Sequence, residues 1–119
     1  MKILFVVSEV EDLVKTGGLA DVAKSLPLAL SELGHEVLIV MPYYQTLATK
    51  FSAAECAPKQ TLFAENRPYE FALREINLAQ LQVICVDYPP FFARKGLYSD
   101  DYHAYGDNAE RFAFFAHAA

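Results

Sequence analysis

The first 33 residues constrain the fold more than any other part of this sequence. The apolar run Ile3–Val7 predicts a buried strand, and Gly17-Gly18 then opens a helical pattern. Two adjacent glycines carry no Cβ, so their backbone N–H groups can approach an anion at the positive end of a helix. Lys15 adds a positive charge beside them. The segment therefore favours a phosphate-binding turn; the alternative is a tight turn with a solvated lysine.

The glycine spacing excludes two common nucleotide-binding motifs. The dinucleotide fingerprint Gly-x-Gly-x-x-Gly needs a third glycine for close packing of helix on strand, and Ala20–Ala23 contains none. A Walker loop needs Gly-Lys-Ser/Thr, which does not follow the glycine pair. The glycine turn is thus of no assigned phosphate-binding type.

The residues after the glycine pair predict a βαβ unit. Apolar residues at helical spacing predict one buried stripe, and Gly34 supplies a C-terminal cap. His35–Pro42 then predicts a second buried strand that ends at the proline. Near-continuous apolar strands favour a parallel sheet covered on both faces. The predicted stripe comprises Leu19, Val22, Ala23, Leu26, Leu30 and Leu33.

The middle of the chain adds an antiparallel hairpin and a further central strand. Gln60–Ala64 and Tyr69–Ile76 alternate apolar and polar residues around a turn at residues 65–68. The solid apolar run Leu81–Val86 predicts another buried strand. We therefore predict an α/β fold, Rossmann-like and doubly wound, with a mostly parallel sheet and an antiparallel hairpin.

A last helix is predicted near the end of the chain. Asp107 and Glu110 have the spacing of a capping box, which places the first helical residue near Asn108. The helical pattern is still running at Ala119, without glycine, proline or a polar stop. We expect residues 1–119 to be the N-terminal piece of a longer protein.

Composition excludes several classes of partner. The 119 residues carry a formal charge of −5 and no local run of lysine or arginine, which disfavours nucleic acid and anionic membranes. No apolar stretch approaches the roughly 20 residues that span a bilayer, and no signal peptide is recognisable. The two cysteines, Cys56 and Cys85, have neither metal-site nor disulfide spacing. A cytoplasmic location is the default expectation.

The segment Phe91–Tyr105, called the aromatic loop below, has no helical or strand period and is rich in aromatic residues. Loops of this length in a compact domain are usually functional or mobile. Aromatic faces stack on sugar rings, and nearby carboxylates accept hydroxyl protons. The loop's tyrosines and acidic pair therefore suit a glucan; equally, the aromatic residues could anchor the loop to the core. These residues are Tyr98, Tyr102, Tyr105, Asp100 and Asp101.

Two stretches resemble one enzyme family. Lys15–Val22, after a strand that ends in Ser8-Glu9, closely resembles the N-terminal signature of bacterial glycogen synthases and plant starch synthases. Gly96–Tyr98 followed by Ala104–Phe115 is similar to a second stretch of that family, at about the same distance from the start. The resemblance covers essentially the whole chain.

The resemblance implies a glycosyltransferase of the GT-B architecture, in which two Rossmann-like domains enclose a cleft. Such enzymes transfer glucose from ADP-glucose to the 4-hydroxyl end of an α-1,4-glucan, retain anomeric configuration, and need no metal or other cofactor. The C-terminal nucleotide-binding domain would lie outside these 119 residues. The chain by itself is therefore expected to be inactive, since half a cleft cannot position both substrates.

The resemblance also implies roles for particular residues, none of them a secure catalytic group and none a metal ligand. Donor-diphosphate contacts are implied for Lys15, Gly17 and Gly18, positions at the cleft for Glu9 and Asp21, and a sugar-side lining for Tyr98 and Asn108. Two alternatives stay open: another GT-B enzyme with a different nucleotide sugar, or a non-catalytic α/β domain that binds a partner through its aromatic loop. The donor base and the oligomeric state are not predicted.

Overall fold

The computed structural model describes residues 1–78, 80–100 and 102–119. Among them are five strands and four helices. None of these helices is long and apolar enough to cross a bilayer. The elements in chain order are β1 (Lys2–Val6), α1 (Gly18–Glu32), β2 (Glu36–Pro42), α2 (Gln45–Lys50), β3 (Gln60–Ala64), β4 (Arg67–Leu78), β5 (Leu81–Asp87), α3 (Pro89–Phe92) and α4 (Asn108–Ala118).

The strands form one sheet in the order β1-β2-β5-β4-β3. The first two pairings are parallel, and β4 joins β5 and β3 antiparallel. In the parallel part, Ile39 lies opposite Val83 on one face of the sheet and Pro42 lies opposite Val86 on the other face, and all four side chains are fully buried. Burial on both faces is what the continuous apolar runs predict. The predicted α/β class, with parallel strands and an antiparallel hairpin, is confirmed.

The hairpin closes more tightly than its sequence pattern predicts. Only Glu65 and Asn66 separate β3 from β4, and both have positive φ angles, 51° and 61°. Such angles match the two-residue turn whose twist suits paired strands. Arg67 and Pro68, predicted to be part of the turn, belong to β4.

Aromatic side chains pack α4 against the hairpin side of the sheet. The ring centroid of Phe114 lies 4.8 Å from that of Tyr88, 5.5 Å from that of Tyr69 and 5.6 Å from that of Phe91. Aromatic pairs at these distances stabilise beyond the area that they bury. The cluster holds α4 against the sheet.

The predicted apolar stripe of α1 is confirmed at Ala23 but is wrong at four of its other positions. Its buried residues are Ala20, Ala23 and Pro27, which follow the helical spacing of three and then four residues. Small side chains at these positions let the helix axis approach the sheet closely. Four of the predicted stripe residues are exposed instead: Leu19, Val22, Leu26 and Leu33. The C-terminal cap is confirmed, since Gly34 has a φ of 93° and its N–H bonds to the carbonyl of Ser31.

The predicted capping box at α4 is also wrong, although the helix begins at Asn108 as expected. The Asp107 side chain makes no capping hydrogen bond. Its two carboxylate oxygens accept from the Nη1 and Nη2 of Arg94, both at 2.7 Å. A bidentate ion pair of this kind competes successfully with a single bond to a backbone amide.

Candidate functional site

The candidate site lies at the carboxyl ends of the parallel strands, where α/β sheets generally bind ligands. Residues 7–17 leave β1 there and lead into α1, and the segment from Ala93 to Asp107 leaves α3 and leads into α4. Tyr44, which follows β2 and is fully buried, donates from its hydroxyl to the carbonyl of Ser8 at 2.8 Å. This bond fixes the chain where it turns away from β1.

The glycine turn is open to solvent. All residues from Lys15 to Leu19 are exposed. Gly17 has an extended backbone with φ of −165°, and Gly18 is the first residue of α1, so neither conformation requires glycine. A Cβ built on either residue meets no atom within 4 Å. The tight-turn explanation for the glycine pair therefore has no steric support, and what the glycines leave is free space beside the helix N-terminus.

The buried carboxylate of Glu9 accepts the hydrogen bonds that hold this turn in place. Its side chain is 2% exposed, and its Oε2 accepts from the Thr16 hydroxyl at 2.6 Å. Its Oε1 accepts from the backbone N–H groups of Gly17 at 3.1 Å and Thr16 at 3.4 Å. Burial by itself would raise the pKa of Glu9, but hydrogen bonds from Thr16, Tyr98 and Gly17 outweigh it and lower that pKa. The carboxylate is thus a buried, ionised clamp on the glycine turn.

The clamp decides which backbone amides can face a ligand. The N–H of Gly17 donates to Glu9, so contact between this amide and a diphosphate, as predicted, would require it to leave that acceptor. Gly18 and Leu19 follow as the first residues of α1, where helical N–H groups have no acceptor within the helix. No side chain caps this end of α1. The amides of Gly18 and Leu19 are therefore the better candidates for contact with an anion.

Lys15 lies beside this helix end. Its Nζ donates to Oδ1 of Asp21, in the first turn of α1, at 2.6 Å. Both side chains are about half exposed, at 48% and 46%. The hydrogen bond from Lys15 to Asp21 raises the pKa of Lys15 and lowers the pKa of Asp21. Because exposed ion pairs of this kind are weak, Lys15 can exchange this partner for another anion at little cost.

Tyr98 bridges the aromatic loop and the glycine turn. Its hydroxyl donates to Oε2 of Glu9 at 2.8 Å and lies 2.7 Å from the Oγ of Ser8. Since the phenol has one proton and gives it to the carboxylate, the Ser8 hydroxyl is the donor in the second bond. Asn108 reaches the same residue from α4, because its Nδ2 donates to the Tyr98 carbonyl at 2.8 Å. The sequence-predicted residues Glu9, Gly17, Tyr98 and Asn108 thus form one connected cluster.

The other aromatic residues of the loop divide between core and surface. Tyr102 is exposed, whereas the Tyr105 ring lies 5.0 Å from the guanidinium carbons of both Arg94 and Arg111. Asp100 accepts from the N–H groups of Tyr102 and His103 and shapes the loop. Asp101, predicted with it as a hydroxyl acceptor, lies outside the described residues. Of the two explanations for these tyrosines, anchoring fits Tyr105, and only Tyr102 presents an open ring.

Gly96 is the glycine of this loop that the backbone requires. Its φ is 78°, and a Cβ at this position would lie 2.2 Å from the carbonyl oxygen of Ser99. No side chain fits there without a shift of the backbone. The turn at Gly96 places Leu97 in the core and brings the Tyr98 hydroxyl within hydrogen-bond distance of Glu9.

Arg111 is a buried cation that sequence reasoning missed. It is fully buried, and it donates to the carbonyls of Phe91 at 2.7 Å and Leu97 at 3.0 Å. Its Nη1 also donates to Oδ1 of Asn108 at 2.7 Å, while its Nη2 has no hydrogen-bond partner among the described residues. Burial lowers the pKa of Arg111 from its ordinary value. Three aromatic rings face its guanidinium: Phe92, Tyr105 and Phe112.

Comparison with known proteins assigns the family. The profile of the starch synthase catalytic domain matches residues 2–119. The chain belongs to the starch synthase catalytic domain family. It is 45% identical to the glycogen synthase of Photobacterium profundum and 46% identical to that of Aeromonas salmonicida, and both alignments cover the whole chain. The chain spans about a quarter of the length of these relatives.

A solved structure of the family has the same fold. The catalytic domain of starch synthase IV from Arabidopsis thaliana, determined with bound ADP and acarbose, matches 97% of this chain with a TM-score of 0.70 at 24% identity. The match covers 23% of that chain. The starch synthase family resemblance and the predicted α/β fold of the N-terminal portion of a GT-B enzyme are therefore confirmed.

Two residues of the candidate site were not predicted from the sequence. Thr16 lies inside the matched signature, but a hydroxyl beside two glycines indicates no particular partner. Arg111 lies inside the second matched stretch, and nothing in its spacing predicts burial without a carboxylate partner. Within residues 1–78, 80–100 and 102–119, no three histidine, cysteine or acidic side chains come together as metal ligands would.

Proposed function

We propose that this chain is the N-terminal part of a glycogen or starch synthase, which transfers glucose from ADP-glucose to the 4-hydroxyl end of an α-1,4-glucan with retention of configuration. The glycogen synthases at 45% and 46% identity and the family profile over residues 2–119 support this activity. Bound ADP in the related starch synthase IV supports an adenine nucleotide as the leaving group. The remaining part of the enzyme would supply the second wall of the cleft.

The observation that carries this proposal is the free space at the N-terminus of α1. No atom lies within 4 Å of a Cβ built on Gly17 or Gly18, and Lys15 stands next to this space. Unpaired amides at a helix N-terminus and a nearby cation together favour the diphosphate of a sugar nucleotide. Gly18 and Leu19 would donate, while Glu9 holds the turn in place.

Lys15 would act mainly on the leaving group. When the bond between glucose and the diphosphate breaks, negative charge builds on the departing phosphate. Lys15 would by then already have left Asp21, its partner at 2.6 Å, and bound a phosphate oxygen when the sugar nucleotide entered the site. Fixed donors that face the developing charge lower the barrier without any reorganisation at the moment of reaction.

The remaining partners follow from the same proposal. The glucan would lie on the side of Tyr98 and Asn108, with Tyr102 as the exposed ring beside them. A C-terminal domain would bind most of the nucleotide, so we expect the isolated chain to be inactive. We expect the enzyme to be cytoplasmic and to need no metal or cofactor.

Charge reversal at Lys15 in the full-length protein tests the proposal. We expect Lys15→Glu to lower kcat/KM for ADP-glucose on glycogen by about a hundredfold or more, with thermal unfolding unchanged. Lys24→Glu is a matched control, since Lys24 also forms an ion pair on α1, with Asp12. The control should keep its activity within about threefold.

Three results would contradict the proposal. Equal kinetics for the Lys15 and Lys24 variants would show that Lys15 is an ordinary surface lysine. Activity of the full-length protein with UDP-glucose but not with ADP-glucose would favour the other nucleotide-sugar enzyme. Inactivity with both donors would favour a non-catalytic role.

A further inference from the structure

We propose that Arg111 is a positioning residue for the glycine turn and acts on it through Asn108, Tyr98 and Glu9. The expected effect on kinetics rests on the proposed function, whereas the expected effect on the structure of the glycine turn does not. Arg111 itself is fully buried and has no route to a substrate. Its influence would travel through hydrogen bonds that connect α4 to the N-terminus of α1.

The first step fixes the backbone around Tyr98. Arg111 donates to the carbonyl of Leu97 at 3.0 Å and to Oδ1 of Asn108 at 2.7 Å. Oriented in this way, Asn108 presents its Nδ2 to the carbonyl of Tyr98 at 2.8 Å. Two consecutive peptide carbonyls are therefore held by one guanidinium and the amide that it orients. Charged donors make the stronger bonds of this kind.

The second step transmits that position to the glycine turn. The Tyr98 side chain packs on Phe112, with ring centroids 5.6 Å apart, and its hydroxyl reaches Glu9 at 2.8 Å. Glu9 in turn binds the N–H of Gly17 at 3.1 Å, one residue before α1 begins. A shift of Tyr98 would change how Glu9 holds this turn, and with it the direction of the first free amides of α1.

The burial of Arg111 favours a hydrogen-bonding role over simple packing of the loop. A guanidinium without a carboxylate partner among the described residues is costly to bury, and its Nη2 donor is unused there. A simple anchor for the loop would be better served by an apolar side chain of similar size. Its Nη1 donates to the Leu97 carbonyl and to the Asn108 side chain, while its Nε donates to the Phe91 carbonyl, and the rigid guanidinium holds these three acceptors in one arrangement.

The experiment combines kinetics with amide hydrogen exchange in the full-length protein. We expect Arg111→Met and Tyr98→Phe each to lower kcat/KM for ADP-glucose about tenfold to a hundredfold, through the donor KM. Each change should also speed exchange of the Thr16 and Gly17 amides about tenfold. Tyr98→Phe removes only a hydroxyl, so it keeps the test valid if Arg111→Met does not fold.

Non-additivity is the decisive readout. If the two residues act through one connection, the double variant is no more than about twofold worse than the poorer single variant. Arg94→Met is the matched control: Arg94 anchors the same loop to Asp107 and to the Pro90 carbonyl, and no bond from it to Leu97, Asn108 or Tyr98 is found among the described residues. The control should leave donor KM and Thr16–Gly17 exchange unchanged.

Failure of this inference and failure of the proposed function are distinguishable. Unchanged exchange at Thr16 and Gly17 in Arg111→Met and Tyr98→Phe, or fully additive kinetic effects, would overturn the positioning role whatever Lys15 does. Faster exchange together with an inert Lys15→Glu substitution would support the connection and contradict the donor site. An effect of Arg94→Met equal to that of Arg111→Met would reduce Arg111 to a general loop anchor.

Discussion

Two buried charges organise the two segments of the candidate site, and they do so in opposite ways. Glu9 holds the glycine turn by accepting hydrogen bonds from backbone and side-chain donors, and every bond that it needs lies within about 3.4 Å. Arg111 holds the aromatic loop by donating to backbone carbonyls, and it leaves one nitrogen without a partner among the described residues. Both carboxylate oxygens of Glu9 have hydrogen-bond donors, whereas one nitrogen of Arg111 has no acceptor among the described residues.

The difference shows what each segment requires. A carboxylate can bind several N–H and O–H donors at once, which suits a short turn whose amides have no helical acceptor. A guanidinium reaches carbonyls up to 20 residues away in the chain, which suits a long loop. The aromatic rings around Arg111 replace part of the missing polar partner by cation–π contact.

Truncation of Arg111 is expected to lower the free energy of unfolding more than truncation of Glu9 does. Arg111→Ala leaves the carbonyls of Phe91 and Leu97 without their donor and opens a cavity beneath Phe92, so we expect a loss of about 4 kcal/mol in the free energy of unfolding. Denaturant titration of the full-length protein measures it. A loss below about 1 kcal/mol would show that relief of the unsatisfied charge offsets the lost bonds.

Truncation of Glu9 is expected to lower the free energy of unfolding somewhat less than truncation of Arg111. Glu9→Ala leaves the hydroxyls of Thr16 and Tyr98 and the amide of Gly17 without an acceptor, but Thr16 and Gly17 are exposed and water can replace it. We expect a loss of about 3 kcal/mol in the same titration. Glu36→Ala, at an exposed position of β2, is the control and should change stability by less than about 0.5 kcal/mol. A larger loss for Glu9→Ala than for Arg111→Ala would reverse the comparison.

Acid should weaken the Glu9 segment selectively. Because the folded protein lowers the pKa of Glu9 below its ordinary value of 4.5, the stabilisation is present above that value and is lost as the pH falls through the lowered pKa. The difference in stability between wild type and Glu9→Gln should therefore be constant from pH 7 to about pH 5 and shrink below about pH 4.5. Thermal unfolding at these pH values measures it. A difference that persists unchanged into acid would mean that the charge of Glu9 is unimportant.

The two segments also differ in how well sequence predicts them. The strand, the glycine pair and the start of α1 follow from local patterns, because apolar runs and glycine signals act over a few residues. The bond between Glu9 and Tyr98 spans 89 positions, and no local pattern contains it. The family resemblance named both residues but not their contact.

The packing of α1 shows a second limit. Helical spacing alone fits two overlapping sets of residues, and the larger side chains of Leu19, Val22, Leu26 and Leu33 indicated the wrong face. Besides Ala23, which the predicted stripe included, the helix buries Ala20, because small residues at these two positions allow a close approach to the sheet. The Asp107 cap failed for a similar reason, since Arg94, 13 positions away, provides a stronger partner than the helix amides.

The most direct test of this account is Gly18→Ala in the full-length protein, with Gly106→Ala as its control. Neither glycine has a neighbour within 4 Å of an added Cβ, so both variants should fold with unfolding free energies within about 1 kcal/mol of wild type. We predict that Gly18→Ala raises the KM for ADP-glucose at least about tenfold, because the new methyl group enters the space for the diphosphate, while Gly106→Ala leaves it unchanged. An unaltered donor KM in Gly18→Ala would contradict the account.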